Sequence, residues 1–514
     1  MTARVLTGAS FIFVSRMVNA ASLFIVSVTL ARYLGPDEYG LIAVSLGLAG
    51  IMEVLGSFGL NEGSTRFIPY FQARGKEDDV RRVVSINITT KVGMAIMLGA
   101  FLYISGGLWA DIFNKDVETL MQIAAIVLAF NILGGAFQGI LRGLERLPMM
   151  ALANVVRDVT WAVAAIGLVV VAGWGVEGAL WGTVAGAVMF LVIAGVAMVT
   201  AIRTDIPGGA RLERRYDGKV LRELMTFGLP VLLSKLMFKL FDWVGTYVVA
   251  FFGTVSDVSI YNIAYGIVSI PLVLIKAIGI AMLPAMSRAY GEGRLGLMQT
   301  LWVGSVKLID SLFMPLAAML MVLAGPAILL VYGDGYVPGA MSVVILAPYL
   351  FIRPTGVMSN HILAAMAHTD LIMRVNLISM AINVVLSILM MPLYGIEGVA
   401  LAATVAFYVN SALMYHYARS KAGVRVDHGA ITRILAGSAI AMSVAGVVFW
   451  VTDLLGESFL SLLVRLTGAT LLGLGVYLLY IRRVGLFTEE EMDNVRSVAE
   501  RSRLAGMILR LLGQ

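Results

Sequence analysis

Residues 175–202 read GVEGALWGTVAGAVMFLVIAGVAMVTAI, a run of 28 residues in which Glu177 is the one charged side chain. About 20 consecutive apolar residues are enough for a helix to cross the hydrocarbon core of a bilayer. Glycines at positions 178, 182 and 186 fall on one face of such a helix, where a neighbouring helix can approach closely in lipid. The stretch therefore predicts a membrane-spanning helix with a close-packing face.

The composition of the whole chain extends this prediction. Its 514 residues are 59% apolar and 14% charged, and the mean hydropathy is +0.90. Soluble domains carry about 25% charged residues. We therefore expect an all-α integral membrane protein with about 14 transmembrane helices. Polar residues, prolines and glycines separate the predicted spans, which lie at 8–33, 40–61, 83–107, 118–139, 149–172, 176–202, 223–252, 258–285, 297–325, 338–365, 371–392, 396–419, 430–452 and 459–481.

Lysine and arginine alternate between the two sides of this arrangement. The loop at 62–82 holds five of them and the loop at 203–222 holds six. In all, 27 lysines and arginines fall on the side of these two loops, whereas the opposite side has Arg32 and Lys115. Cytoplasmic loops carry the excess of basic residues in membrane proteins. Both termini are therefore predicted to be cytoplasmic, with an even number of spans.

An internal repeat divides the chain into similar halves. Gly175-Val-Glu-Gly178 recurs as Gly395-Ile-Glu-Gly398, and Gly59 matches Gly279 at the same offset of 220 residues. An even number of helices per copy predicts two pseudo-symmetric six-helix lobes related by an axis along the membrane normal. The predicted domains are an N-lobe (1–202), a cytoplasmic linker (203–222), a C-lobe (223–425), two further spans (426–483) and a cytoplasmic amphipathic tail (484–514). The tail is predicted either to lie in the membrane interface or to be a solvated helix without a role.

Charged residues inside the spans indicate where a substrate would bind. Each costs about 2.5–3.5 kcal/mol at mid-bilayer, and nine basic residues stand against four acidic ones. Lys235, Lys239 and Asp242 follow the spacing i, i+4, i+7 of one helix face. This face either lines a cavity or consists of a Lys239–Asp242 pair beside a Lys235 that reaches the interface.

Other embedded polar residues extend the candidate site. Arg16 and Asn19 lie on one side of the first span. Tyr261 and Tyr265 have a structural alternative as core or interface side chains. Asn376 and Asn383 have a structural alternative as partners in helix–helix hydrogen bonds. An excess of cations favours an anionic substrate such as a lipid diphosphate. The candidate diphosphate-binding residues are Arg16, Lys235, Lys239, Lys276 and Arg353; Glu53 and Asp242 are candidates for ion coupling or for orienting a lysine; Asn19, Tyr261, Tyr265, Asn376 and Asn383 are candidate polar residues of the cavity.

The sequence also narrows the chemistry. It contains no GxxxxGK[ST] loop for ATP, no HExxH motif and no cysteine. We therefore expect a transporter rather than an enzyme, without a metal or cofactor. Transport would be driven by an H⁺ or Na⁺ gradient or by the gradient of the substrate itself.

The sequence resembles the polysaccharide (Wzx-like) flippases of the multidrug/oligosaccharidyl-lipid/polysaccharide (MOP) exporter superfamily, which are related to lipid II flippases and MATE antiporters. The residues that carry the resemblance are Leu34-Gly-Pro-Asp-Glu-Tyr-Gly40, Gly59-Leu60 followed by Arg66, Phe227-Gly-Leu-Pro230, Asp242, Tyr261, and Pro284 followed by Ser287. The resemblance implies a protein of the cytoplasmic membrane that flips undecaprenyl- or dolichyl-diphosphate-linked oligosaccharides by alternating access. It also makes Arg16 the nearest positional match to the first-span arginines of lipid II flippases.

The resulting hypothesis is a lipid-linked oligosaccharide flippase with a cationic central cavity. Its expected partners are the lipid-linked oligosaccharide, membrane lipids, and a polysaccharide polymerase or glycosyltransferases, with no nucleic acid; a monomer would suffice for a complete pathway. Two alternatives remain at the level of sequence. One is a MATE-like drug or cation antiporter, and the other is a non-transporting scaffold for cell-envelope assembly.

Overall fold

A computed structural model describes residues 2–206, 218–456 and 458–486, and within them the regular secondary structure is entirely helical. Most of the predicted linker at 203–222 and nearly all of the predicted tail at 484–514 lie outside the described residues. The chain forms two compact units, Met1–Ser259 and Ile260–Gln514. The lobe boundaries predicted from the repeat stay a prediction.

The first unit contains eight helices and the start of a ninth. The π-helix Gly167–Val171 continues the sixth of them. The helices are α1 (Thr2–Ser57), α2 (Leu60–Gln72), α3 (Glu77–Ile104), α4 (Gly106–Phe113), α5 (Glu118–Gly143), α6 (Leu147–Ile166), α7 (Gly175–Asp205), α8 (Gly218–Phe252) and the beginning of α9 (Val255–Gly291).

The second unit contains the rest of α9 and six further helices. Two short 3₁₀ segments, Asp334–Gly339 and Thr452–Leu455, join some of them. The helices are α10 (Leu295–Val331), α11 (Ala340–Leu346), α12 (Tyr349–Ala365), α13 (Thr369–Ala422), α14 (His428–Val451) and α15 (Phe459–Val484).

Two of the helices are far longer than a single membrane crossing needs. α1 has 56 residues and α13 has 54, or about 80 Å each at a rise of 1.5 Å per residue. Each contains one non-helical residue, Gly35 (φ +74°) in α1 and Gly395 (φ +60°) in α13. These glycines lie in the breaks predicted between the first and second spans and between the eleventh and twelfth.

Among the described residues, eleven helices are long and apolar enough to cross a membrane, judged by length and composition. The number is twelve if the pair Asp334–Leu346 and Tyr349–Ala365, bent by 53°, forms one span. Division of α1 and α13 at their glycines would raise it to the fourteen predicted from the sequence. The count of fourteen and the cytoplasmic position of both termini stay predictions.

The Gly-x-Glu-Gly repeat forms a turn followed by a close backbone contact in both units. Gly175 and Gly395 adopt positive φ, which costs glycine little, and each begins a helical segment. A Cβ added to Gly178 would lie 3.1 Å from the carbonyl carbon of Leu168, and one added to Gly398 would lie 2.5 Å from the carbonyl oxygen of Met390. The repeat therefore marks two turns at which neighbouring helices meet backbone to backbone.

The predicted close-packing face of α7 rests on α6. A Cβ at Gly186 would lie 3.0 Å from the carbonyl oxygen of Arg157 and 2.8 Å from Cβ of Trp161. In the second unit, α14 and α15 pack against α10. There, the Tyr477 hydroxyl donates a 2.7 Å hydrogen bond to the carbonyl oxygen of Ser311. The last two helices are thus part of the packed second unit.

Candidate binding site

A lysine on α8 is paired with a glutamate on α2 in the first unit. Lys235 Nζ and Glu62 Oε1 form a salt bridge between residues 173 positions apart. The side chain of Lys235 is 49% exposed, whereas that of Glu62 is 16% exposed. The candidate lysine therefore has a counter-ion supplied by the protein and still faces open space.

Glu62 is a residue that the sequence prediction missed. Residues 62–82 were expected to form a cytoplasmic loop, but Leu60–Gln72 form the helix α2. The helix buries Gly63, Ser64, Ile68 and Phe71. Their spacing of one, four and three residues repeats along one helix face, and this was the signal that could have revealed α2.

A second lysine lies beside this pair, on α3. Lys91 is 1% exposed, and the charges that act on its ammonium group are those of Glu53, Glu62 and Lys235. Gly135 of α5 leaves room for it, since a Cβ there would lie 3.5 Å from Lys91 Nζ. Four helices thus contribute charged side chains to one cluster, formed by Glu53, Glu62, Lys91 and Lys235. With Lys239, which follows Lys235 by one helical turn on α8, we call it the lysine cluster.

Glu53 is held in place within this cluster. Its Oε2 accepts a 3.2 Å hydrogen bond from Nδ2 of Asn131 on α5. Its charge also acts on Lys91. Of the two roles that the sequence left open for Glu53, these contacts favour the orientation of a lysine over a free coupling group.

Lys239 lies where α8 packs on glycines of α1. A Cβ at Gly50 would lie 3.4 Å from Lys239 Nζ, and a Cβ at Gly47 would overlap the ring of Trp243. The same Nζ lies 5.3 Å from the centroid of the Trp243 ring, within range of a cation–π interaction. The side chain of Asp242, the proposed partner of Lys239, lies outside the described part of the structure.

The first-span candidates have different surroundings. Arg16 is exposed. Asn19 Nδ2 donates a 3.0 Å hydrogen bond to Oδ2 of Asp158, whose Oδ1 accepts a 2.9 Å bond from Nε of Arg157. Asp158 is 3% exposed. Asn19 therefore ties α1 to α6, and a contact with substrate would require this bond to be given up.

In the second unit, Arg353 lies beside two aromatic rings. Its guanidinium carbon is 5.4 Å from the centroid of Tyr349 and 5.6 Å from that of Phe407. Tyr261 is 3% exposed, and its ring stacks on Tyr265 at 6.2 Å. The side chain of Lys276, another candidate, lies outside the described residues.

The candidate asparagines of α13 bond to other polar side chains of the same helix. Asn376 Oδ1 accepts a 3.0 Å bond from Asn410 Nδ2, and this bond joins the segments before and after Gly395. Asn383 Oδ1 accepts a 3.2 Å bond from the Ser387 hydroxyl. The first contact supports the helix–helix alternative for Asn376, whereas the second lies within one helical segment. A role in substrate binding stays a prediction for both residues.

A second set of embedded charges lies on α10. Lys307 Nζ is 3.6 Å from Oδ2 of Asp427, the residue that caps the N-terminus of α14. Asp310, one turn further along α10, is 0% exposed, and neither of its carboxylate oxygens has a hydrogen-bond partner in the described structure. A cavity of about 10 Å³ lies between Lys307, Asp310 and the neighbouring Trp302.

Comparison with known families identifies the chain. The sequence profile of the family described as "Polysaccharide biosynthesis protein" matches residues 5–290, which is more than half of the chain. The chain belongs to this family. A second profile, that of the MatE family, matches residues 230–389.

Two proteins with similar sequences come from Haloferax volcanii and Bacillus subtilis. The probable low-salt glycan biosynthesis flippase Agl15 of Haloferax volcanii is 22% identical over 472 residues, which cover 91% of this chain and 94% of that protein. The uncharacterized membrane protein YabM of Bacillus subtilis is 22% identical over 325 residues, covering 61% and 60% of the two chains. Together with the candidate spans of the described helices, these relatives confirm the predicted multi-pass membrane protein.

Solved structures of the MOP superfamily share the fold. The lipid II flippase MurJ in an inward closed conformation gives a TM-score of 0.72 at 16% identity, with 93% of this chain and 98% of that chain covered. An inward-facing MATE transporter gives a TM-score of 0.71 at 16% identity, with 79% and 98% covered. These similarities confirm the predicted all-α membrane fold and the predicted resemblance.

Proposed function

We propose that this protein is a flippase that moves a polyprenyl-diphosphate-linked oligosaccharide across the cytoplasmic membrane by alternating access. The observation that carries the proposal is the Lys235–Glu62 pair within the lysine cluster. Membership of the polysaccharide biosynthesis family and the similarity to Agl15 support a substrate that carries a glycan. The MurJ-like fold supports transport of a lipid-linked molecule by a helical frame.

The first step of the proposed mechanism is an exchange of partners at Lys235. A half-exposed ammonium group held by a carboxylate is neutralised while the site is empty, and a diphosphate can replace that carboxylate with more negative charge. The pair prevents the lysine from being left without a counter-ion in a membrane, where such a charge is costly. Glu62 thus acts as the resident anion that the substrate displaces.

The second step is stabilisation of the bound diphosphate by Lys239 and of the released Glu62 carboxylate by Lys91. Lys91 is buried beside Glu62, and Lys239 is held between Gly50 and Trp243. Release of Glu62 from Lys235 leaves its carboxylate facing Lys91, so that the buried charge stays compensated. The lipid tail would remain in the bilayer while the two lobes rock about the site.

Four further features belong to the proposal. Arg16, Lys276 and Arg353 would contribute additional cations to the diphosphate, and an H⁺ or Na⁺ gradient would drive the cycle, with Glu53 or Asp242 as coupling or orienting residues. The protein would act as a monomer. A polysaccharide polymerase or glycosyltransferases would be its partners in the membrane.

The decisive experiment is flipping of a fluorescent polyprenyl-diphosphate sugar by the purified protein in proteoliposomes. We compare the wild type with Lys235→Ala/Lys239→Ala, and with the control Lys76→Ala/Lys421→Ala, which removes two exposed lysines outside the cluster. We expect flipping by the wild type and the control, and loss in the cluster variant. Unchanged flipping in the cluster variant would move the binding site away from α8. No flipping by folded wild type, together with co-purification of a glycosyltransferase, would favour the scaffold.

The second candidate function is a drug or cation antiporter. The match of residues 230–389 to the MatE profile and the MATE-like fold favour it. The three lysines of the cluster oppose it, because they repel a cationic substrate. Saturable, gradient-driven efflux of a cationic dye from the same proteoliposomes would establish this function instead.

A further inference from the structure

A cationic groove lies between α2 and α8, separate from the lysine cluster. It has a volume of about 570 Å³. It opens beside residues 66–67 of α2 and the first turns of α8, on the side where the basic loops predict the cytoplasm. We call it the Arg66 groove; its lining includes Arg66, Phe67, Lys219, Arg222, Glu223 and Phe227.

Aromatic rings hold Arg66 in this groove. Its guanidinium carbon lies 4.3 Å from the ring centroid of Phe227 and 5.4 Å from that of Phe67. The two rings meet edge to face at 6.1 Å. Within the described ranges no carboxylate pairs with Arg66, so its planar set of N–H donors is fixed in place by stacking rather than used by an acid. Such a guanidinium suits bidentate binding of a phosphate.

The charge of the groove favours an anion. Arg66, Lys219 and Arg222 stand against Glu223, which leaves an excess of two positive charges. Arg222 and Glu223 are both exposed on the first turns of α8. A concave surface with an excess of one sign of charge raises the local concentration of the opposite ion.

The Arg66 groove and the Lys235–Glu62 pair lie along the same two helices. Arg66 follows Glu62 by one helical turn on α2, and Arg222 precedes Lys235 by 13 residues on α8, about 20 Å of helix. The helices touch at Gly228, where an added Cβ would lie 2.5 Å from the carbonyl oxygen of Gly59. The groove is therefore further towards the loop ends of both helices than the pair.

We propose that the Arg66 groove is a phosphate-binding subsite for a lipid headgroup in the cytoplasmic leaflet, where the diphosphate of the substrate is held before it reaches Lys235. This inference rests on the proposed function. The phosphate has two sources, the polyprenyl diphosphate and an anionic phospholipid, and both present the same chemistry to Arg66 and Arg222. The order of the two sites gives the substrate a first contact at the membrane surface and a second one inside the protein.

Binding to the purified full-length protein tests the subsite. The probes are geranylgeranyl diphosphate and short-chain phosphatidylglycerol, titrated in detergent. The variant is Arg66→Gln/Arg222→Gln. The matched control is Arg74→Gln, because Arg74 also stacks on a ring of α2, with its guanidinium carbon 4.1 Å from the centroid of Tyr70, but does not line the groove. Arg66→Lys keeps the charge and loses the bidentate geometry, and thermal melting checks that every variant is folded.

If the phosphate in the groove belongs to the substrate, Arg66→Gln/Arg222→Gln (the groove variant) should bind the diphosphate about tenfold more weakly, as expected for loss of charge-assisted bonds. Arg66→Lys should give an intermediate value and Arg74→Gln no change. Flipping should then need a higher substrate concentration for half-maximal rate, with the maximal rate little changed. If the phosphate belongs to a phospholipid, binding of phosphatidylglycerol should fall about tenfold instead. That result would show a phosphate site that is not on the path of the substrate.

Two outcomes separate this inference from the proposed function. Unaltered binding of both probes to the folded groove variant would overturn the subsite, even if the wild type flips its substrate. Weakened diphosphate binding in the groove variant, with no flipping by the wild type, would keep the subsite and overturn the flippase.

Discussion

The Lys235–Glu62 pair is a structural contact to which the proposed function adds a binding role. A half-exposed ion pair contributes about 0.2–1 kcal/mol to stability. In the proposed function, the charges of the pair therefore matter more for binding than for folding. The same carboxylate also acts on the buried Lys91. Substitutions at this pair can therefore separate what folding needs from what a diphosphate needs.

A charge swap makes that separation. Lys235→Glu places two carboxylates together and should lower the melting temperature, and the double variant Lys235→Glu/Glu62→Lys should recover part of that loss because opposite charges again meet. Flipping should stay lost in both variants, since α8 then offers an anion to the diphosphate. Thermal melting in detergent measures the stability of each variant, and a proteoliposome assay measures its flipping. Recovery of flipping in the double variant would mean that either helix can supply the cation that binds the diphosphate.

Two buried aspartates differ in their hydrogen-bond partners. Asp158 accepts bonds from Asn19 and Arg157, whereas Asp310 has no partner among the described residues. We expect Asp158→Asn to lower stability by about 1–3 kcal/mol, because a charge-assisted bond to Arg157 is lost. Asp310→Asn loses no such bond and should leave the melting temperature unchanged or raise it. A comparable fall in both variants, measured by thermal melting in detergent, would contradict this distinction.

At the scale of the helix, a glycine-to-glycine contact fixes α2 against α8. Gly59 caps the N-terminus of α2 with φ +70°, and a Cβ there would overlap the backbone of Gly228. A left-handed residue other than glycine costs about 1–2 kcal/mol before any overlap is counted. The position of Glu62 opposite Lys235 therefore depends on a backbone contact that no side chain can replace.

We expect Gly59→Ala to lower the melting temperature and to weaken flipping, since α2 must move away from α8. The matched control is Gly93→Ala on α3, where nothing lies within 4 Å of an added Cβ. That helical position should tolerate alanine or gain up to about 1 kcal/mol from its higher helix propensity. Equal melting temperatures for the two variants would show that the α2–α8 contact is not needed in the folded protein.

At the scale of the whole molecule, the number of spans depends on the breaks in α1 and α13. Each break is a glycine with positive φ. If each helix crosses the membrane twice, the residues just after the breaks lie on the outer side and both termini lie inside. If either helix crosses once, the alternation of the following loops is reversed.

Single-cysteine labelling measures this directly, because the chain contains no cysteine. We expect a membrane-impermeant maleimide added to intact cells to label Glu38→Cys and Tyr394→Cys, both exposed, the first three residues after the break at Gly35 and the second one residue before the break at Gly395. Lys76→Cys and Glu292→Cys, also exposed, should react only after permeabilisation. Labelling of either of the latter pair from outside would contradict the fourteen-span arrangement.

The all-α membrane fold and its repeat could be predicted from the sequence because hydropathy, glycine spacing and charge alternation are properties of neighbouring residues. The embedded lysines of α8 were visible for the same reason. The partner of Lys235 was not, since Glu62 lies 173 residues away and in a segment expected to be a loop. Asn19 likewise meets Asp158 across 139 residues. Which charges neutralise one another depends on which helix faces pack together, and only the tertiary structure decides that.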